Sequence, residues 1–176
     1  MTQWMYYLSR STGIVALLLI VAALLWGFLF SSRATGKRLR PNWWLDLHNW
    51  LGGLALVFTG LHLVTVWLNS DAGIGLVQIF VPQTATFNAW AITWGVIATY
   101  VMAAAVFTTW PRRWKNRRWW RVVHVSTVVG TVLAFLHAYQ SGSDASQPWF
   151  QLMLVLAAGV ATYGLGLRLS TLRRAD

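Results

Sequence analysis

The sequence predicts an all-α integral membrane protein. It reads as one domain over residues 1–176, a bundle of five transmembrane helices with the N-terminus outside and the C-terminus cytoplasmic. Three observations lead there. Of the 176 residues, 57% are apolar or aromatic and only 10% are charged, whereas a water-soluble domain carries about 25% charged residues. The few charges divide the chain into five apolar stretches, each near the roughly 20 residues a helix needs to cross a bilayer core. Finally, Lys and Arg cluster in alternate connections, as the positive-inside rule requires of a multi-pass protein.

The first span, about residues 11–32, lies between Arg10 and Arg33 and contains VALLLIVAALLWGFLF. Its apolar run is too long for a cleaved leader and its basic cluster follows it, so it is expected to stay in the membrane. The second, about 43–69, carries Asp46, His48 and His62. The third covers about 88–110, the fourth about 119–139 with His124 and His137, and the fifth about 149–167. The stretch Ile74–Val81, bounded by Asp71 and Pro82, is too short to span and is expected along the outer surface. Helices are required throughout because each N–H and C=O in hydrocarbon must bond within its own segment. LLLIVAALL lacks the alternation of a barrel strand.

Charge sets the orientation. Arg33, Lys37, Arg38 and Arg40 follow the first span; Arg112, Arg113, Lys115, Arg117, Arg118 and Arg121 follow the third; Arg168, Arg173 and Arg174 follow the fifth. The other two connections hold only Asp71 and Asp144. That places all the basic residues but Arg10 on the cytoplasmic side of an inner membrane. Trp43, Trp44, Trp110, Trp114, Trp119 and Trp120 fall near the inner boundary and Trp67, Trp90 and Trp149 near the outer one, as interfacial anchors do. The +10 charge therefore reads as topology. Nucleic-acid binding is not expected of so apolar a chain.

Composition also narrows the chemistry. The chain has no Cys, which removes disulfides, thiolate metal sites and a Cys nucleophile. It has no Glu and four Asp, which makes paired-carboxylate hydrolysis improbable. Imidazole is nearly the only metal-binding group left, and all four His lie inside spans, two on the second and two on the fourth. Those spans run in the same direction, so His48 and His124 share an inner depth and His62 and His137 an outer one. Fourteen residues along a helix is about 21 Å, too far for the His of one helix to share an ion.

Across the helices the four His make two stacked pairs. Two imidazoles make a poor closed zinc site, but haem iron needs only two axial ligands from the protein. Gly52, one turn after His48, and Gly130, seven residues before His137, lie on the His faces and suit either a flat macrocycle or close helix packing. Fourteen residues bring His62 to within about 40° of His48, but thirteen leave His137 about 140° from His124. The fourth span must therefore tilt, kink or bulge for both His to face the second, unless the cofactors approach it from different sides.

LDLHNWLGGLALVFTGLHL around His48 and His62, and RRWWRVVHVSTVVGTVLAFLHA around His124 and His137, resemble the ferric reductase-like transmembrane domain family. YLSRSTGIVALLL resembles its Arg-bearing helix, and the likeness covers about residues 7–140. The family includes the membrane cores of NADPH oxidases and ferric reductases, and the haem-binding membrane subunit of a methionine-sulfoxide reductase system. The resemblance implies two b-type haems in series, His48 and His124 holding the inner one and His62 and His137 the outer one. It places Arg10 beside the outer haem, and Arg118 and Arg121 near inner-haem propionates. Snorkelling and topology are ordinary accounts of the same arginines.

The function expected is transmembrane electron transfer from a cytoplasmic reduced flavin or flavoprotein to an extracytoplasmic acceptor such as a ferric chelate, oxygen or a partner protein. The chain holds no GxGxxG and no stretch suited to a flavin domain, so the flavin is expected on a separate partner. Two alternatives remain open from sequence. One is a haem-bearing anchor subunit of a larger redox complex. The other is a proton or metal transporter with an intramembrane His relay, to which Asp46 would belong unless it serves the helix dipole.

Overall fold

A computed structural model of the chain describes residues 2–32, 41–109, 116–142 and 144–173. Every regular element among them is helical: α1 (Thr2–Ser31), α2 (Pro41–Leu68), a 3₁₀ turn (Ser70–Ala72), α3 (Leu76–Phe80), α4 (Ala89–Thr109), α5 (Arg117–Val125), α6 (Thr127–Ser141) and α7 (Pro148–Arg173). Five stretches are long and apolar enough to cross a membrane, α5 and α6 together forming the fourth. Each expected span is present. α1 begins nine residues earlier than its apolar run because no Gly or Pro interrupts residues 2–10, so Arg10 sits within the helix and not at its start.

Apolar side chains face outward along every span: Val57, Phe107 and Val155 are each more than half exposed. In water this would be a liability. In hydrocarbon it is the expected surface. The interior is correspondingly thin, a cluster of Leu17, Phe150 and Leu154 with Ile14, Phe135 and Met153 packed around it.

Helix α1 is the hub, packing against α2, α6 and α7, while α4 packs on α5 and α6. The facing pair α2 and α6 is not among the closely packed pairs of described helices, so a gap separates them. At one end of α1 and α2, Trp26 and Trp44 stack at 4.2 Å. Trp44 is 5% exposed, so it joins two helices and is not the bilayer anchor its position suggested. Trp43, Trp67, Trp90, Trp119 and Trp149 are exposed and fit the anchor role. Trp110 and Trp114 lie outside the described residues, as do Arg33, Lys37, Arg38, Arg40, Arg112, Arg113, Lys115 and Arg174.

The stretch after α2 does not cross the bundle. Its helix α3 exposes Leu76, Val77 and Phe80 and buries Ile79, packing on α2 and α4. Gln83, at φ 63°, is held by its backbone N–H on Thr93 Oγ1 at 2.9 Å. This segment closes one end of the gap between α2 and α6.

Candidate functional site

The fourth span is interrupted between its two histidines. Helix α5 ends at Val125, Ser126 adopts φ −60° and ψ −15° between it and α6, and its N–H bonds the carbonyls of both His124 and Val122. The hydroxyls of Ser126 and Thr127 fold back onto Val123 O at 2.7 Å and His124 O at 2.6 Å, a bonding pattern that bends helices. The break lies two residues after His124 and eleven before His137, so α5 carries the one ring and α6 the other.

Both cross-helix pairs form. The ring centroids of His48 and His124 are 5.7 Å apart, and those of His62 and His137 6.2 Å. Two imidazoles bound to one ion at about 2.0–2.1 Å each would set their ring centroids about 6 Å apart, a spacing near that of both pairs. Among the described residues no group of three or more His, Cys, Asp or Glu could hold a metal ion. Each pair could supply two imidazoles to a group that brings its remaining ligands, as a porphyrin iron would.

Three of the four rings are fixed from behind. His48 Nδ1 lies 3.0 Å from Ala23 O, His62 Nδ1 2.7 Å from Ser9 O and His137 Nδ1 2.8 Å from Ala91 O. A carbonyl oxygen only accepts, so in each ring Nδ1 carries the proton and Nε2 keeps its lone pair for a metal. Behind each ring stands a glycine: a Cβ at Gly27 would lie 3.2 Å from His48, at Gly13 3.0 Å from His62 and at Gly95 2.7 Å from His137. His124 differs. Its Nδ1 is buried with no partner among the described residues, and its ring stacks on Trp120 at 5.0 Å and 17°.

The outer pair opens into a cavity of about 740 Å³ lined by α1, α2, α3, α4 and α6. Its volume is within the range of small-molecule and cofactor sites. Arg10 lines it, the one Arg or Lys to do so among the described residues. The guanidinium pairs with Asp144, bonds the Tyr6 hydroxyl and lies 4.7 Å from the centre of the Tyr6 ring. Asn69 also lines the cavity; it is 5% exposed and its Oδ1 has no partner among the described residues. Asp71, Ile74 and Ile79 complete the wall, which gives the previously unread stretch after α2 a place in the site.

The remaining expected residues are dispersed. Arg118 and Arg121 are exposed on α5. A Cβ at Gly52 would meet nothing within 4 Å, whereas at Gly130 it would lie 2.9 Å from Val101 Cγ1. Gly130 therefore serves the contact with α4, and Gly52 leaves open space one turn from His48. Asp46 is exposed on α2. Sequence reasoning passed over Gly13, Gly27 and Gly95, although the first two repeat the 14-residue spacing of the histidines they meet.

No curated protein and no solved structure matches the chain in direct comparison. The family model described as ferric reductase like transmembrane component matches residues 5–135, which contain α1 through most of α6 and three of the four histidines. Haem binding and electron transfer across a membrane are the general properties of that family. By this match over most of its length, the chain belongs to the ferric reductase-like transmembrane component family.

Proposed function

We propose that this protein carries electrons across a cytoplasmic membrane on two b-type haems, each held between one imidazole of α2 and one of the fourth span. His48 and His124 hold the inner group, and His62 and His137 the outer one. The N-terminus faces outward and the basic ends of the spans face the cytoplasm. The donor is a cytoplasmic reduced flavin or flavoprotein and the acceptor is extracytoplasmic: a ferric chelate, oxygen or a partner protein. The observation that carries this reading is the double pairing of imidazoles, with three Nδ1 atoms bonded to helix carbonyls.

His48, His124, His62 and His137 would hold the two groups, and haem iron would supply one-electron chemistry. The chain does the rest. Carbonyls of α1 and α4 hold three rings in one tautomer, and α3 with its flanking residues covers the outer end of the cavity. Arg10 offers positive charge there, tempered by Asp144, toward a propionate or the arriving acceptor. Arg118 and Arg121, exposed at the cytoplasmic end, are available to the inner propionates and to an acidic or phosphate-bearing donor.

Purified protein in sealed vesicles tests the reading. With reduced flavin supplied only on the side bearing Arg118, an impermeant ferric chelate on the other side should be reduced. Reduction should stop in His124→Ala. Equal rates from vesicles without protein would contradict the proposal.

A further inference from the structure

We propose that Gly13, Gly27 and Gly95 are positioning residues, each forming a notch that lets an imidazole reach a helix carbonyl, and that a fourth notch on α4 is filled. In each case the accepting carbonyl belongs to the residue four before the glycine: Ser9 and Gly13, Ala23 and Gly27, Ala91 and Gly95. That carbonyl already takes the glycine's own N–H in the helix, and its second lone pair takes the imidazole. A side chain at the glycine position would stand where the ring is, 2.7–3.2 Å from it. Mid-helix glycine costs about 1 kcal/mol relative to alanine. Here the missing Cβ gives access to a carbonyl.

Register follows from periodicity. The two notches of α1 are 14 residues apart, as are His48 and His62 on antiparallel α2, so both helices drift by the same angle and both contacts form. On α4, 14 residues beyond Ala91 and Gly95 stand Ala105 and Thr109. There the Thr109 hydroxyl itself bonds Ala105 O at 2.7 Å and accepts Trp120 Nε1–H at 3.2 Å. Trp120 in turn stacks on His124. Among the described residues, the fourth imidazole is thus held by a ring face and not by a carbonyl, and its Nδ1 has no partner. A ligating imidazole that donates its other N–H is more basic and better oriented. Both ligands of the outer haem have this support, but only one ligand of the inner haem does.

The inference rests on the two-haem reading and is tested with purified full-length protein by haem count and potentiometric titration. Gly13→Ala and Gly95→Ala should weaken retention of the outer haem 10–100-fold or raise its midpoint potential, leaving the inner one unchanged. Gly27→Ala should do the same to the inner haem alone. Gly164→Ala crowds Phe28 and Leu25 at 3.0–3.1 Å with no histidine nearby, and should change neither haem. Proton NMR of the ferric wild type gives a second reading that needs no variant: three axial Nδ1–H signals shifted as hydrogen-bonded protons and one, that of His124, not so shifted. Unselective loss in the glycine variants, the same pattern from Gly164→Ala, or hydrogen-bonded shifts for all four protons would overturn the notches. Wild-type protein without haem would instead contradict the function on which they rest.

Discussion

His124 is the residue on which the two sites differ. Its imidazole is aligned by Trp120, and an aromatic pair of this kind contributes about 0.5–1.5 kcal/mol beyond its burial. Trp120→Leu should therefore weaken inner-haem retention roughly 2–10-fold, read as substoichiometric haem after detergent exchange, with Trp120→Phe retaining more. Arg10 makes the opposite kind of contribution, since its guanidinium ties α1 to Asp144 in the connection between α6 and α7. A hydrogen bond to a charged group contributes roughly 1.5–3 kcal/mol. Asp144→Asn should lower the thermal midpoint of the purified protein and leave the visible spectrum of the inner haem unchanged. The histidines and Arg10 were legible in the sequence because a titratable group inside an apolar run is conspicuous. Gly13, Gly27 and Gly95 were not, because glycine in a membrane helix has an ordinary packing role and nothing in one dimension shows which carbonyl it uncovers.

At the scale of elements, both His pairs form although the spacing is 14 residues on one helix and 13 on its partner, and the break at Ser126 falls between His124 and His137. A helix turns about 100° per residue, so inserting one alanine after Thr127 should swing His137 out of its pair and cost the outer haem, while His124 stays with α5. Retention of both haems by that insertion would show that the break does not set the angle. Thirteen residues do not return a side chain to one face, so the sequence left a tilt, a kink, a bulge or cofactors approaching from different sides all open. The location of a break was not legible. Ser126 and Thr127 look like ordinary membrane-helix hydroxyls until their bonds to Val123 and His124 are seen. In α1 the sequence marks only Arg10, on a stretch resembling the family's Arg-bearing helix, yet this helix supplies two of the carbonyls that fix the histidines. That role depends on which helix it packs against, and packing partners are the information a single sequence carries least. The short α3 failed as a span on length alone, which was correct, and its place at the end of the cavity emerges only in three dimensions.

For the molecule as a whole, five spans and a one-sided distribution of Lys and Arg were available from composition and order, because the bilayer admits few alternatives. The structure adds that the two His-bearing spans stand apart with their imidazoles across the gap, while the others pack closely around them. The most direct test is the visible spectrum of the purified protein, oxidised and dithionite-reduced, with haem quantified per chain and repeated for His62→Ala. The two-site account expects two b-type haems per chain in the wild type and one in His62→Ala, with the inner haem's absorption preserved. A wild type without a Soret band, or a His62→Ala protein that keeps both haems or loses both, would contradict it.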